Sequence, residues 1–222
     1  VRILTWKKEF NYSAINNFAV REARGEYLLF LNNDVEIITE SWLEEMLQLC
    51  QQKDVGMAGA KLYYPDDTIQ HAGVVVGLGG VAAHVLCKLP RDAEGYMGRL
   101  RCVQEISAVT AACMMVKTSV FKAVGGFDEE LKVAFNDIDL CMKVRKYGVK
   151  IVFTPYAELY HYESKSRGME DTPEKQLRFS REVNCFRRKW ERELLKGDPY
   201  YNPNLTLNNT DCSLRKQEKN GD

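Results

Sequence analysis

The sequence contains no C-x-x-C pair: its seven cysteines (Cys50, Cys87, Cys102, Cys113, Cys141, Cys185 and Cys212) are scattered singly. An odd, unclustered set argues against a zinc knuckle and against a disulfide framework, and points to reduced thiols packed as small core residues. The expected compartment is therefore the cytosol, where the N-x-S/T triplets at Asn11, Asn204 and Asn208 carry no glycosylation message. Acidic and basic residues balance at 31 each, so no global field favours nucleic acid. Apolar stretches such as Gly73 to Gly80 are far too short to span a bilayer, and the first residues lack a signal-peptide layout. Internal repeats and a glycine-rich N-terminal phosphate loop are also missing. What remains is 222 residues, 45% apolar and 28% charged, enough for one globular domain with a sizeable core, with or without an appendage.

The chain is organised around Glu26-Tyr-Leu-Leu-Phe-Leu-Asn-Asn-Asp34. Tyr27 to Leu31 is an unbroken apolar run, the pattern of a strand buried on both faces. It stops at Asn32, Asn33 and Asp34, which read either as a plain turn or as a ligand site at the carboxyl end of a strand. Upstream, Arg2–Trp6 is strand-like and Ser13–Ala23 reads as a helix, with Ser13 as its N-cap and Gly25 as its C-cap. Strand, helix, strand predicts a crossover that sets Arg2–Trp6 and Tyr27–Leu31 parallel in one sheet. A sheet that opens so abruptly suggests a fragment.

Downstream, Glu36–Ile38 is a brief extension and Ser41–Cys50 an amphipathic helix with Glu44 completing a capping box. Val55–Leu62 and Ile69–Val76 read as strands. Gly77–Arg101 reads as one long loop, of the kind that forms lids or stays unstructured. Ser107–Val116 is another buried strand, followed by a short helix over Val120–Val124 and the turn Gly125–Glu129. A helix opens near Asn136 and ends at Tyr147 before Gly148, then Lys150–Phe153 and Tyr156–Tyr160 are extended. A long helix over Pro173–Leu195 closes a domain spanning 1–196. Residues 197–222 form a polar tail, with Ser213–Asp222 expected to be disordered.

Three places carry an acid or histidine at the end of an element: Asp34, the pair Asp137/Asp139, and His161. Each has a bland reading. Asp137 in a first helical turn favourably meets the helix dipole. Asp139 lies about 200° further round the helix, so both cannot face one pocket. His161, between two tyrosines, could be a satisfied structural residue. The sites gain force together, from their order.

The runs NNFAVREARGEYLLFLNNDVEI, AVTAACMMVKTSVFKAVGGFDEEL and FNDIDLCMKVRKYGVKIVFTPYAELYHYES resemble, in that order, the family 2 glycosyltransferases. The resemblance covers roughly residues 1 to 166 and is strongest to the branch of rhamnosyl- and galactofuranosyl-transferases that build bacterial surface polysaccharides. It implies an α/β protein of GT-A fold, a mixed, mostly parallel sheet flanked by helices, and an inverting transfer from a nucleotide-diphosphate sugar to a glycan or lipid-linked acceptor. Asn32-Asn33-Asp34 stands at the D-x-D motif, which makes these donor-binding residues and Asp34 a ligand of a divalent cation, Mn²⁺ or Mg²⁺. Asp137 matches the general base. His161 matches the histidine that completes the metal site. The turn containing Gly126, Phe127 and Asp128, with Asn136, is placed on the acceptor side.

The chemistry suits those residue types. A hard cation with few protein ligands neutralises charge on a leaving diphosphate, and inversion needs a separate carboxylate opposite it to take the acceptor proton. Two positions depart from the family pattern, Asn32 for the first acid of D-x-D and Asn136 for the first of E-D. The family's opening strand-helix-strand unit has no counterpart before Val1, so the resemblance implies a chain without most of the nucleotide-base pocket. The alternative is a non-catalytic glycan-binding or scaffold fragment of a larger glycosyltransferase. Two further contacts follow as expectations. His84, Arg91, Arg99 and Arg101 could meet an anionic acceptor. The helix with Phe179, Val183, Phe186, Trp190 and Leu194 on one face could rest on the inner face of a membrane or pack against the domain.

Overall fold

The computed structural model describes residues 1–163 and 172–216. Along the chain its elements are α1 (Tyr12–Val20), β1 (Tyr27–Leu31), β2 (Val35–Ile37), α2 (Trp42–Gln51), β3 (Val55–Tyr63), β4 (Ile69–His71), β5 (Val74–Val76), β6 (Ala82–His84) and β7 (Gln104–Glu105). There follow β8 (Cys113–Lys117), α3 (Thr118–Ala123), α4 (Asn136–Lys146), β9 (Lys150–His161), α5 (Pro173–Lys189) and α6 (Glu191–Lys196). The main sheet runs β1-β8-β3-β9-β2, with β4 added to β3 and β7 to β9, while β5 and β6 form a separate pair. It is mixed, as expected, but its parallel share is smaller than expected: among the described strands only β3 and β9 pair in parallel.

The layers follow from the alternation of β3, whose nine residues are all buried. Ala58, Ala60 and Leu62 point to one face, where Trp42, Met46, Leu49 and Cys50 of α2 cover them together with Cys113, Met115 and Leu159. Met57 and Tyr63 point to the other face, into a larger core that includes Phe30, Phe121, Phe127, Leu140, Val144, Phe186 and Trp190. Gly59 belongs to that second face and must be glycine: a Cβ there would lie 2.3 Å from the Val109 side chain.

Several expectations change. Arg2–Trp6 forms no strand among the described residues, and β1 pairs only with β8, antiparallel, at the sheet edge. Ile3 is open to solvent, and the Trp6 ring lies against Phe18 of α1 instead of joining a ladder. Ser13 does not cap α1. Asn11 does, accepting from the Ala14 N–H, while the buried Ser13 hydroxyl donates to the Leu131 carbonyl. Residues 69–76 are two strands broken at Ala72-Gly73, and the expected strand over 107–116 begins only at Cys113. The 77–101 stretch is not a solvated loop. It folds into β6 and two single turns of 3-10 helix, and buries Leu78, Val81, Val85, Leu86 and Leu100 in the core.

The polar tail is likewise packed over its described part. Tyr201, Leu205 and Cys212 are buried, the Asp198 carboxylate accepts from the Val76 N–H, and the Leu207 and Thr210 carbonyls accept from Gly79 and Leu86. Leu205 and Leu214 form a bridge, so order extends past Ser213, and the disorder expected for the last residues concerns positions 217–222, outside the described residues.

The long C-terminal helix is two, α5 and α6, divided at Trp190. Its Phe186 and Trp190 side chains point into the core, which favours domain packing over a membrane-lying face. Among the described residues no helix is long and apolar enough to cross a membrane. If α5 is docked in this way, Phe186→Ala lowers the unfolding free energy in a urea titration by about 3–5 kcal/mol. Phe179→Ala, at a ring that is 41% exposed, costs clearly less; equal small losses would show that α5 is not anchored through Phe186.

Candidate functional site

The first half of the site is made by strand register. β2 runs antiparallel to β9 with Val35 opposite His161, and the Tyr162 N–H donates to the Asp34 carbonyl at 2.8 Å. Residues 127 apart in sequence thus meet at the end of the sheet, where Asp34 Oδ1 lies 3.3 Å from His161 Nε2. The other ring nitrogen, Nδ1, is 2.7 Å from Gln70 Oε1, and Gln70 Nε2 donates to the His161 carbonyl. Gln70 therefore sets the tautomer: Nδ1 carries the proton and Nε2 presents a lone pair towards Asp34 and the Asn32 amide. Burial lowers the pKa of His161 against the pull of Asp34 and Glu163, so the ring is neutral near pH 7.

A carboxylate oxygen and an imidazole lone pair at this spacing are a fitting donor pair for a hard cation, since adjacent ligands of an octahedral ion lie roughly 3 Å apart. The second-sphere amide that orients the imidazole is also in place. Among the described residues no group of three or more His, Cys, Asp or Glu is arranged to hold a metal ion, so the pair forms an open platform, not a closed cage.

The second half is made by a strained helix start. Phe135, which precedes α4, has φ +61°, a left-handed conformation that a bulky residue adopts only when its surroundings hold it there. α5 supplies that hold. Phe179 and Phe186 pack their rings on Phe135 at 5.7 and 5.5 Å, and the buried Glu182 carboxylate accepts from both the Val133 and Ala134 N–H groups. Asp137 then emerges in the first turn of α4, with Oδ1 accepting from the Ile138 N–H at 2.8 Å and Oδ2 from the Ala111 N–H at 3.2 Å. Asp139 points the other way, as the helical period predicts. It is fully buried, accepts from the Trp190 indole and is paired with Lys143 and Lys189.

Asn32, Asn33, Asp34, Asn136, Asp137 and His161 line one cleft of about 720 Å³, whose opposite wall carries Phe10, Tyr12, Ile15 and Asn16. Asn136 is buried beside it, its amide donating to the Val133 carbonyl. Gly126, Phe127 and Asp128 do not line the cleft. Phe127 is buried against Phe30, Phe121 and Tyr12, Gly126 has a φ of +67° with Asn17 where a Cβ would go, and Asp128 is held by Lys189. Asn17 both donates to and accepts from the Phe127 backbone, so this turn locks α1 to the core. The basic side chains assigned to an acceptor are engaged elsewhere: Arg91 with Glu158 and Asp67, Arg99 with the Tyr200 carbonyl, Arg101 with Glu94.

Sequence reasoning missed Gln70, His71, Thr110, Ala111 and Glu163. The chain has only three histidines, and all three gather here: His71 lies 3.0 Å from His84, and His71 follows the Gln70 that orients His161. That scarcity was the available signal.

With this geometry in hand, comparison with known proteins is informative. Residues 1–182 match the model of a family described as "Glycosyltransferase like family". The uncharacterized protein y4gI of Sinorhizobium fredii is 56% identical over 215 residues, 96% of this chain and 24% of that protein. The O-antigen biosynthesis protein RfbC of Myxococcus xanthus is 42% identical over 220 residues, 99% of this chain and 17% of that protein. The chain thus spans a quarter or less of the length of these relatives. A mannosyltransferase of Pyrobaculum calidifontis, solved with GDP-Man and Mn²⁺, superposes over 84% of this chain and 45% of its own with a TM-score of 0.55 at 15% identity, a likeness of fold.

The buried histidines make stability depend on pH. Burial holds His71 well below its ordinary 6.5, with His84 and His161 acting in the same sense. Above that value folded and unfolded chains are both neutral at this site. Below it the unfolded chain alone takes up the proton, so stability falls as pH drops from about 6.5. Thermal unfolding at pH 7.5 and 5.5 checks this: His71→Gln should lose less melting temperature over that interval than the parent, and equal losses would contradict a neutral buried ring.

Proposed function

Because the chain belongs to the glycosyltransferase-like family, we propose that it transfers a sugar from a nucleotide-diphosphate donor to a glycan or lipid-linked acceptor, with inversion, in polysaccharide synthesis. The observation that carries this reading is the meeting of Asp34, His161 and Asp137 in one cleft, the first two as a cation pair and the third apart from them on a different element. The O-antigen name of one relative and the Mn²⁺ bound in the mannosyltransferase support it.

Asp34 Oδ1 and His161 Nε2 would hold Mn²⁺ or Mg²⁺, which when bound neutralises charge developing on the leaving diphosphate. Asn32 and Asn33 shape the turn that carries Asp34 and offer amides to the donor. Asp137 accepts the proton of the acceptor hydroxyl. That oxygen forms its bond to the anomeric carbon on the face opposite the diphosphate, which departs with its bonding pair. The inverting logic of separated groups is the one seen in inverting glycosidases. Two backbone N–H groups fix the Asp137 carboxylate before substrate arrives, which spares reorganisation in the transition state. The family resemblance favours action on the cytoplasmic side.

Two measurements test the reading in the full-length protein. With UDP-, GDP- and dTDP-activated sugars as donors, Asp137→Asn should lower transfer by about 10²–10⁴-fold; activity near that of the parent removes the base assignment. In a Mn²⁺ titration, Gln70→Ala should weaken binding by about 10–100-fold by releasing the His161 ring, and His161→Ala should weaken it further. Unchanged affinity in both would remove the metal pair.

A further inference from the structure

One short backbone segment, residues 110–112, bonds to three residues that line the cleft, Asn32, Tyr12 and Asp137. The Ala112 carbonyl accepts from the Asn32 N–H at 3.0 Å, beside the cation pair. The Ala111 carbonyl accepts from the Tyr12 hydroxyl on the opposite wall, and the Ala111 N–H donates to Asp137 Oδ2. The remaining bond runs downwards. The Thr110 N–H donates to Nε2 of His71, a fully buried ring at the end of β4.

That bond dictates the state of a histidine pair. His71 Nε2 accepts, so the proton of the neutral ring sits on Nδ1 and is donated to Nδ1 of His84, 3.0 Å away, with the two rings edge to face. His84 comes from β6, within the 77–101 stretch, and its backbone is paired with Val74. The post under the segment is therefore built from two separate strands. A ring buried in this way normally costs stability unless its nitrogens are satisfied. Here both His71 nitrogens are used, one of them on the backbone that aims the base.

We propose that His71, braced by His84, is a positioning residue for sugar transfer: it fixes the 110–112 segment and so the orientation of the Asp137 carboxylate. This rests on the reading of Asp137 as the base. Neither histidine touches substrate in this scheme. His71 acts through Thr110 and Ala111 on Asp137, so its loss affects the chemical step more than donor affinity.

The test compares His71→Leu, His71→Gln and the milder His84→Phe in the full-length protein, with Asp137→Asn as reference. His71→Leu should lower kcat by about tenfold to a hundredfold, the cost of misplacing a reacting group by a fraction of an ångström to an ångström, with a smaller change in donor KM. His71→Gln, whose amide oxygen can stand where Nε2 stood, should recover most of that loss. In the Asp137→Asn background His71→Leu should cost nothing more. Amide hydrogen exchange gives a readout independent of turnover: His71→Leu should release Thr110 and Ala111 while β3 and β8 stay protected.

Unchanged kcat in a folded His71→Leu, or unchanged exchange at Thr110 and Ala111, overturns the proposal, as does a loss that appears only in donor KM. If His71→Leu does not fold, His84→Phe carries the same two readouts, and unchanged values there overturn it equally. An active Asp137→Asn enzyme would instead sink the base reading, with the exchange result still reporting on the histidine post.

Discussion

A slip of one residue between β2 and β9 would turn His161 to the other face of the sheet and part it from Asp34, so the contact between the two exists only in one register. That register is held from three sides. β9 pairs in parallel with β3 along most of its length, β2 and β7 pair with it antiparallel, and the Tyr162 N–H closes on the Asp34 carbonyl beyond the last ladder position. β3 in turn cannot shift, because Gly59 sits against Val109 with no room for a side chain and Ala58, Ala60 and Leu62 fill the α2 face. The sheet beneath the site leaves little room for β3 to shift.

Elements with a strong local period were legible in the sequence. β1, α2, β3 and α4 lie close to where apolar runs or helical spacing put them, though β1, expected to be buried on both faces, sits at the sheet edge with Leu31 exposed. Arg2–Trp6 has the composition of a strand but finds no ladder among the described residues, and strand propensity without a partner is a weak preference. The 77–101 stretch failed for the opposite reason. Its glycines and mixed polarity hide Leu78, Val85, Leu86 and Leu100, whose burial depends on partners in the C-terminal segment and not on any local repeat. A polar, Asn-rich tail looked unstructured because its order comes from backbone bonds to Gly79 and Leu86, which composition does not record.

The site divides along the same line. That Asp34, Asp137 and His161 share one cleft was readable from their types and order along the chain. What orients them was not. Gln70 fixes a tautomer through one hydrogen bond, Glu182 caps a turn 48 and 49 residues away through two, and residues 110–112 act only through their backbone. Main-chain donors and acceptors are present at every position, so their use leaves no mark in the sequence. The turn at Gly126–Asp128, placed on the acceptor side through the family resemblance, lies outside the lining of this cleft, and its Phe127 completes a cluster with Phe30 and Phe121.

The two carboxylates of the cleft are distinguished less by what they are than by what holds them. Asp34 faces an imidazole lone pair, an arrangement in which negative charge and lone pair accumulate and that a cation would relieve. Asp137 accepts from two backbone N–H groups, which stabilise its charge while leaving further lone pairs open. The strain in Phe135 belongs to this division. A left-handed residue at the start of α4 costs of order 1–3 kcal/mol, and the α5 aromatics with the Glu182 cap are what offset it. The C-terminal helix thus holds the start of α4, and with it the turn that carries Asp137, while among the described residues it contributes no group to the cleft.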